Sequence, residues 1–220
     1  MAQAFFCLAA LACVVTSRWW LAARNESHAT GGRGLIFAAS VAVVVIYLQL
    51  IAGAVMRHYG AGLAIPDVPL NYGKLLPPVS AEQLASLNHL RAFRLDLPAV
   101  SLTQVWVHFV HRLGAIAVTA ALVFLIVKTI RMHRRDLNRL ARGLVLLLIT
   151  QLSLGVLTVI LRKPADIASM HVAVGALTLL VTFVLAARAV RLYSPSLIGK
   201  PEFRRADVDA TLGPARPMAA

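Results

Sequence analysis

The chain has 220 residues, of which 59% are hydrophobic and 14% are charged. Its mean hydropathy of +0.76 is unusual for a soluble domain, and its charges fall between long apolar runs, which is typical of a polytopic membrane protein. The net charge of +13 could suggest nucleic-acid binding, but Lys and Arg gather in short loops and in the C-terminal tail, so membrane orientation explains them better. We therefore expect an all-α integral membrane protein whose surroundings are lipid and whose partners do not include nucleic acid.

Five apolar stretches are each long enough to cross a hydrocarbon core, for which roughly 20 residues suffice. The first lacks a basic start and ends in a weak cleavage signal, so we read it as a helix rather than a signal peptide. Helices are predicted at 2–20, 35–56, 104–127, 143–161 and 167–187. The expected organisation is an extra transmembrane helix with a cytoplasmic loop at 1–33, a four-helix bundle at 34–193 with an outer loop at 57–104, and a disordered cytoplasmic tail at 194–220.

The distribution of basic residues predicts the orientation of these helices. Three regions share one side of a five-helix protein and hold fifteen Lys and Arg residues, namely 18–33, 128–142 and the tail. The opposite side holds six. Because the richer side is normally cytoplasmic, we expect an N-terminus outside, a C-terminus inside, and location in the plasma (inner) membrane of a prokaryote.

A weak internal repeat relates the second and fourth predicted helices. Gln-Leu-Ile-Ala-Gly at 49–53 matches Gln-Leu-Ser-Leu-Gly at 151–155, and each is followed by a loop and a helix with a histidine near its start. Two related hairpins would build a four-helix bundle, although such a short match could arise by chance in Leu-rich helices. Gln49, Gln151 and Thr158 are expected to form hydrogen bonds between helices.

His111 and His171 are the strongest candidates for chemistry. Ionisable side chains are rare inside a bilayer and usually face a bundle interior or a cofactor. Two imidazoles at matching depth on two helices could ligate the two faces of a haem iron, leaving no open position and favouring electron transfer. The alternative is a hydrogen-bonded pair of bundle histidines without a metal.

Three neighbouring residues are candidate cofactor contacts. Arg112 needs an anionic partner, and since no Asp or Glu falls within a predicted helix, a haem propionate could supply it; the alternative is snorkelling to lipid phosphate. Arg57 could act similarly. His108 lies one turn from His111 on the same face, where it could contact the haem edge, but we favour an interfacial histidine in water.

The outer loop at 57–104 is too long for a simple connector. Its glycines and its Pro-Asp-Val-Pro turn at 66–69 suggest an ordered cap over the bundle. Asp67 is expected to cap a turn, which is the commonest role of Asp in such a sequence.

These motifs together resemble haem A synthase, and the resemblance covers nearly the whole stretch from 35 to 192. It rests on the run at 53–70, on Tyr72-Gly73, Pro77-Pro78, His111-Arg112, the segment 155–159 and His171. Members of that family resemble a tandem of two four-helix bundles, each with two histidines. The resemblance implies that one bundle handles haem O, whose methyl group is oxidised to the formyl group of haem A, and that the other holds a haem b.

The chain departs from that pattern because it has one histidine pair instead of two. It also lacks the cysteine pair of many N-terminal halves and a glutamate after the Arg-x-Thr motif. Its first helix resembles the last helix of the preceding half, so the chain would supply the haem b-binding half. A second half, a second copy, haem O synthase and an electron donor are the implied partners. Two alternatives stay open: a b-type cytochrome that only transfers electrons, and an inactive truncated fragment.

Overall fold

The computed structural model describes residues 2–21 and 31–194, and within those ranges the chain is helical and has no β-strand. The predicted loop residues 22–30 and nearly all of the predicted tail lie outside the described residues. The α-helices are α1 (Ala2–Val15), α2 (Arg18–Leu21), α3 (Gly32–His58), α4 (Ala81–Leu90), α5 (Leu102–Ile130), α6 (Arg135–Ile160) and α7 (Ala165–Tyr193). A 3-10 helix (Ala61–Leu63) and a π-helix (Arg91–Leu95) lie in the predicted outer loop.

The four long apolar helices α3, α5, α6 and α7 have the length and hydropathy to cross a membrane, which confirms the all-α membrane class. The first predicted helix is shorter than expected, because the chain breaks at Ser17 between α1 and α2. The Ser17 hydroxyl donates to Val14 O at 2.6 Å and accepts from Trp20 N at 3.2 Å. Such local bonds compete with the helical backbone ladder, which explains the break.

All four spanning helices begin before their predicted starts, and two of them thereby gain acidic residues. Helix α6 starts at Arg135 instead of 143, and α7 starts at Ala165 instead of 167. The first turns of these helices therefore include Asp136 and Asp166, so the expectation that helices lack acidic residues is wrong. Charged first turns are compatible with membrane helices because they extend past the apolar segment.

The four spanning helices form a ring in which the main contacts join α3 to α5, α5 to α6, α6 to α7 and α7 to α3. Helices α5 and α7 are therefore diagonally opposite, and α1 packs on the outside against α7. The two predicted hairpins, α3–α5 and α6–α7, are thus neighbours in one bundle.

One end of the bundle, which we call the packed half, consists of the first parts of α3 and α6 and the last parts of α5 and α7. Its core is fully buried and mostly aliphatic, with Tyr193 closing the end. Arg188, only 4% exposed, forms an ion pair with Asp136 at 3.1 Å. Its guanidinium also lies 4.0 Å from the Trp19 ring centre and donates to Trp19 O at 2.8 Å.

The other end, which we call the capped half, is covered by the segment 59–101. A second buried cluster joins Ala61, Ala64 and Ile65 of this cap to Val105 near the start of α5. Helix α5 begins with a capping box in which Ser101 and Gln104 bond each other's backbone N–H. Gln104 also donates to Tyr59 O at 2.9 Å. The predicted ordered cap is therefore present, and it is attached to the two helices that flank it.

Candidate functional site

His111 lies in the capped half, two to three turns into α5, and its ring faces α3. Gln49 of α3 places its amide nitrogen 3.2 Å from His111 Nδ1 and donates to His111 O at 2.9 Å. A Cβ added at Gly53 would be 3.2 Å from His111 Cε1. The glycine therefore lets the imidazole edge rest against the α3 backbone while the glutamine one turn away contacts the ring.

His171 repeats this arrangement between α7 and α6. The amide nitrogen of Gln151 lies 3.4 Å from His171 Nε2, and a Cβ added at Gly155 would be 3.2 Å from His171 Cε1. Each histidine thus contacts a glutamine and a glycine that lie four residues apart on the neighbouring helix, although the amide is nearest Nδ1 in His111 and Nε2 in His171. The repeat that the sequence suggested is a repeat of tertiary contacts.

The two rings come from diagonally opposite helices, α5 and α7, of the capped half. Each ring is half-buried, and the fully buried aliphatic core lies in the packed half rather than around them. Glycines at 53, 114, 155 and 175 line this part of the bundle with backbone instead of side chains. Each of these glycines is covered by a histidine or glutamine side chain, so this part of the bundle is lined by polar groups where the packed half has aliphatic ones.

Polar atoms around His171 point to a missing partner. His171 Nδ1 and Gln151 Oε1 are buried and have no hydrogen-bond partner among the described residues. Buried polar groups are nearly always paired, so each exception needs an explanation. A haem between the rings fits these residues, because a porphyrin iron needs only two axial ligands from the protein. No group of three or more His, Cys, Asp or Glu in the described ranges could hold a bare metal ion.

Arg112 follows His111 in sequence but points to the cap. Its guanidinium donates to the backbone oxygen of Asp67 and, at 2.9 Å, to that of Leu70. These bonds attach the side chain to the cap, and both predicted partners of its charge, a haem propionate and a lipid phosphate, stay predictions. The Asp67 carboxylate accepts from Tyr72 N at 2.8 Å and Gly73 N at 3.0 Å, which confirms its predicted role in capping a turn.

His108 is buried, with 3% of its surface exposed, so the favoured prediction of an interfacial histidine in water is wrong. Its Nδ1 accepts from Ile65 N at 3.2 Å. The prediction failed because it treated the start of α5 as open to solvent, whereas the cap covers it. His108 thus fastens the cap to the helix that carries His111, and a contact with the haem edge stays a prediction.

Arg57 lies at the end of α3 and is exposed. The structure does not bring it to the two histidines by any hydrogen bond or ion pair among the described residues. Its predicted contact with a cofactor therefore stays a prediction with no support from the geometry.

Arg91 is a residue that sequence reasoning missed. It is 1% exposed and donates to Pro98 O at 2.8 Å, to Leu63 O at 3.1 Å and to the Tyr72 hydroxyl. Burial raises the pKa of that hydroxyl, although the guanidinium beside it lowers it in part, so Tyr72 stays protonated and donates to Ala64 O at 2.6 Å. Arg91 therefore joins distant parts of the cap.

Comparison with known proteins finds one family model and several curated relatives. A family model described as "Cytochrome oxidase assembly protein" (COX15-CtaA) matches residues 1–184. Three of the similar curated proteins, all named "Heme A synthase", come from Rickettsia felis (30% identical), Rickettsia bellii strain RML369-C (31%) and Rickettsia prowazekii (27%). Each match covers 137 residues, or 62% of this chain.

The chain spans well under half the length of these relatives, because the matched part is 37–38% of each of them. No solved structure matches the chain.

Proposed function

This chain belongs to the COX15-CtaA family of cytochrome oxidase assembly proteins, and on that basis we propose that its bundle holds one haem b between His111 and His171 and serves the oxidation of haem O to haem A. One observation carries the proposal: each histidine rests on a glycine and contacts a glutamine of its hairpin partner, in two matching sets. A pair of equivalent axial ligands is what haem ligation from opposite helices requires.

In this proposal a bound haem supplies one-electron redox chemistry at its iron. His111 and His171 hold the iron, and the glycines beneath them set the depth at which the rings lie. The packed half excludes water from one end of the site. Arg112 and His108 attach the cap to α5, so the cap limits access from the other end.

The chain would supply one half of the whole activity. The full-length relatives are much longer than this chain, and two bundles are implied by the haem A synthase resemblance. We propose that a second half or a second copy provides the bundle in which haem O is oxidised, with an electron donor and haem O synthase as further partners.

A b-type cytochrome without its own substrate is the second candidate. The observation that favours it is the equivalence of the two histidine environments, which leaves neither ligand obviously free to depart. A bis-histidine iron suits electron transfer. Both candidates share the same haem site and differ only in whether this chain takes part in haem O oxidation.

We further propose the orientation that the basic residues predict, in a prokaryotic plasma membrane. The packed half carries the Lys- and Arg-rich connection between α5 and α6 and would face the cytoplasm. The cap would then lie on the opposite side. Accessibility of cysteines introduced at exposed Lys74 and Arg131 to a membrane-impermeant thiol reagent tests this, and labelling of the second position alone in intact cells would contradict it.

The haem site is tested by pigment analysis of the purified full chain. We expect a low-spin bis-histidine spectrum that His111→Ala and His171→Ala each abolish, whereas His58→Ala, at an exposed position on α3, leaves it unchanged. A wild-type spectrum in both ligand variants would contradict the assignment. Extracted pigment identified by chromatography would show whether the bound group is haem b.

The reaction is tested separately by supplying haem O to membranes that contain this chain. We expect no haem A from the chain alone and haem A when the missing half of a related protein is produced with it. Haem A formed by this chain alone would contradict the half-protein proposal. Failure of complementation, with haem b still bound, would favour the b-type cytochrome.

A further inference from the structure

The two glutamines beside the histidines turn their amide nitrogens toward the imidazole rings. Gln151 turns its amide nitrogen toward His171 Nε2, at 3.4 Å, while its Oε1 is buried without a partner. His171 Nδ1 is also buried without a partner among the described residues. A neutral imidazole carries one N–H, so if Nε2 accepts from the amide, the buried Nδ1 carries a proton that it donates to nothing.

The two buried atoms without a partner, Gln151 Oε1 and His171 Nδ1, could form a hydrogen bond with each other. Gln151 Oε1 is an acceptor, and His171 Nδ1 is a donor whenever Nε2 is unprotonated. An iron bound at Nε2 would take the place that the amide nitrogen now faces. A change in the Gln151 side chain that brought Oε1 to Nδ1–H would then pair both buried atoms.

We propose that Gln151 and Gln49 are positioning residues whose amide oxygens accept the Nδ1–H of iron-bound His171 and His111. This inference rests on the haem site proposed above. Metal-bound histidines usually donate their other N–H to such an acceptor, which fixes the ring orientation and raises the basicity of the ligating nitrogen. The glutamines thereby set the redox potential of the iron as well as the angle of the rings.

Each amide is seated against a glycine on the helix that carries the histidine. A Cβ added at Gly114 would be 2.0 Å from Gln49 Oε1, and one added at Gly175 would be 3.2 Å from Gln151 Nε2. Gly114 follows His111 by three residues and Gly175 follows His171 by four, so both glycines lie one turn further along the same helix face. Because these positions are glycines, the helix that carries each histidine also leaves space for the amide.

The two glutamines differ in how firmly they are held. Gln49 donates to His111 O as well as contacting the ring, whereas Gln151 has a buried oxygen without a partner. Rotation of the Gln151 amide therefore breaks fewer hydrogen bonds than rotation of the Gln49 amide. We expect its substitution to report the acceptor role most directly.

The test measures the midpoint potential and the low-spin spectrum of the haem-loaded full chain. Gln151→Leu removes the acceptor, so the ligating nitrogen becomes less basic, the ferric form loses stabilisation, and the potential rises. Gln151→Glu keeps an acceptor oxygen, so its potential stays at or below that of the unmodified chain. Thr158→Val is the matched control, because the Thr158 hydroxyl bonds only its own helix, at Leu154 O, and its potential should not change.

Gly114→Ala provides a second route that keeps both glutamines. The new methyl group would displace the Gln49 amide, which is the flexible end of a side chain, and should raise the potential in the same direction as Gln151→Leu. This variant protects the test against a leucine substitution that fails to fold.

The outcomes separate the two proposals. If the unmodified chain binds no haem, the haem site itself is wrong. If it shows a bis-histidine spectrum but the Leu, Glu and Ala variants all keep its potential, the acceptor role is wrong. If Gln151→Glu shifts the potential upward as far as Gln151→Leu, the amide nitrogen rather than the oxygen matters, and the acceptor role is likewise overturned.

Discussion

In the packed half of the bundle, large aliphatic side chains fill the space between the helices. In the capped half, the helices meet at glycines. In the packed half Leu35, Leu144 and Leu185 have no exposed surface. In the capped half the helices present Gly53 and Gly155 to two half-buried histidines. The same four helices therefore change from an aliphatic core to a polar, glycine-lined space within a few turns.

This difference places the residues that stabilise the fold at one end of the helices and the candidate functional residues at the other. Burial of aliphatic side chains at one end can hold the helices together by close packing. The capped end instead brings together the polar side chains of Gln49, His111, Gln151 and His171. Substitutions in the packed half should therefore destabilise the haem-free protein, and substitutions in the capped half should mainly change the proposed haem binding.

The largest effect on folding is expected at the ion pair of the packed half, in which Arg188 is buried and Asp136 is half-buried. Asp136→Ala would leave the charge of Arg188 uncompensated and should lower the free energy of unfolding by about 3–5 kcal/mol. Thermal unfolding of the haem-free chain in detergent measures this. Asp166→Ala, at an exposed first-turn position of the capped half, should cost less than about 1 kcal/mol; equal losses from both variants would remove the distinction between the two ends.

The aliphatic core gives the next largest effect. Leu144→Ala should lower the free energy of unfolding by about 2–5 kcal/mol because it opens a cavity among fully buried side chains. Leu146 lies two residues further along α6 and is 67% exposed, so Leu146→Ala should change stability little. Denaturation of the two variants in the same detergent makes the comparison, and similar midpoints would contradict the assigned core.

A smaller effect, on binding rather than folding, is expected from Gly155→Ala. The added methyl group would press on His171 Cε1 and force the ring to move, at a cost of about 1–3 kcal/mol that appears as weaker haem binding. Haem titration followed by the low-spin absorbance measures it. Gly143→Ala on the same helix is the control, because a Cβ there has no neighbour within 4 Å; weaker binding in that variant too would point to a general helix effect.

The smallest effect is expected at the junction of cap and bundle. His108→Leu removes the acceptor of Ile65 N–H and should cost about 1 kcal/mol of local stability. Faster cleavage by protease within 59–101, with an unchanged unfolding temperature, would show it. His89→Leu, at an exposed position on α4, should leave the cleavage rate unchanged, and an unchanged rate in His108→Leu as well would contradict the anchoring role.

The spanning helices and the matching glutamine–glycine contacts of the two histidines were predictable because both follow from short-range sequence patterns. Apolar runs of about 20 residues dictate spans, and the repeated glutamine–glycine spacing put His111 and His171 in equivalent places before any contact was known. Asp136 was placed outside a helix because hydropathy marks where the apolar run begins, not where the backbone hydrogen bonds begin.

The cap could not be predicted to the same depth. Arg91 looks like an ordinary loop arginine in the sequence, and its partners are backbone oxygens whose positions depend on the path of the whole segment. The burial of His108 has the same origin, since it depends on Ile65 being folded back over α5. Contacts of this kind leave no periodic pattern, so only the three-dimensional structure reveals them.

The ion pair between Arg188 and Asp136, together with the leucines above it, has an electrical consequence. Moving one elementary charge through the membrane potential changes its free energy by about 2.3 kcal/mol per 100 mV. Leu144 and Leu185 of the packed half have no exposed surface, so a charge crossing there would have to leave water. We therefore expect the packed half to insulate the two sides of the membrane from each other.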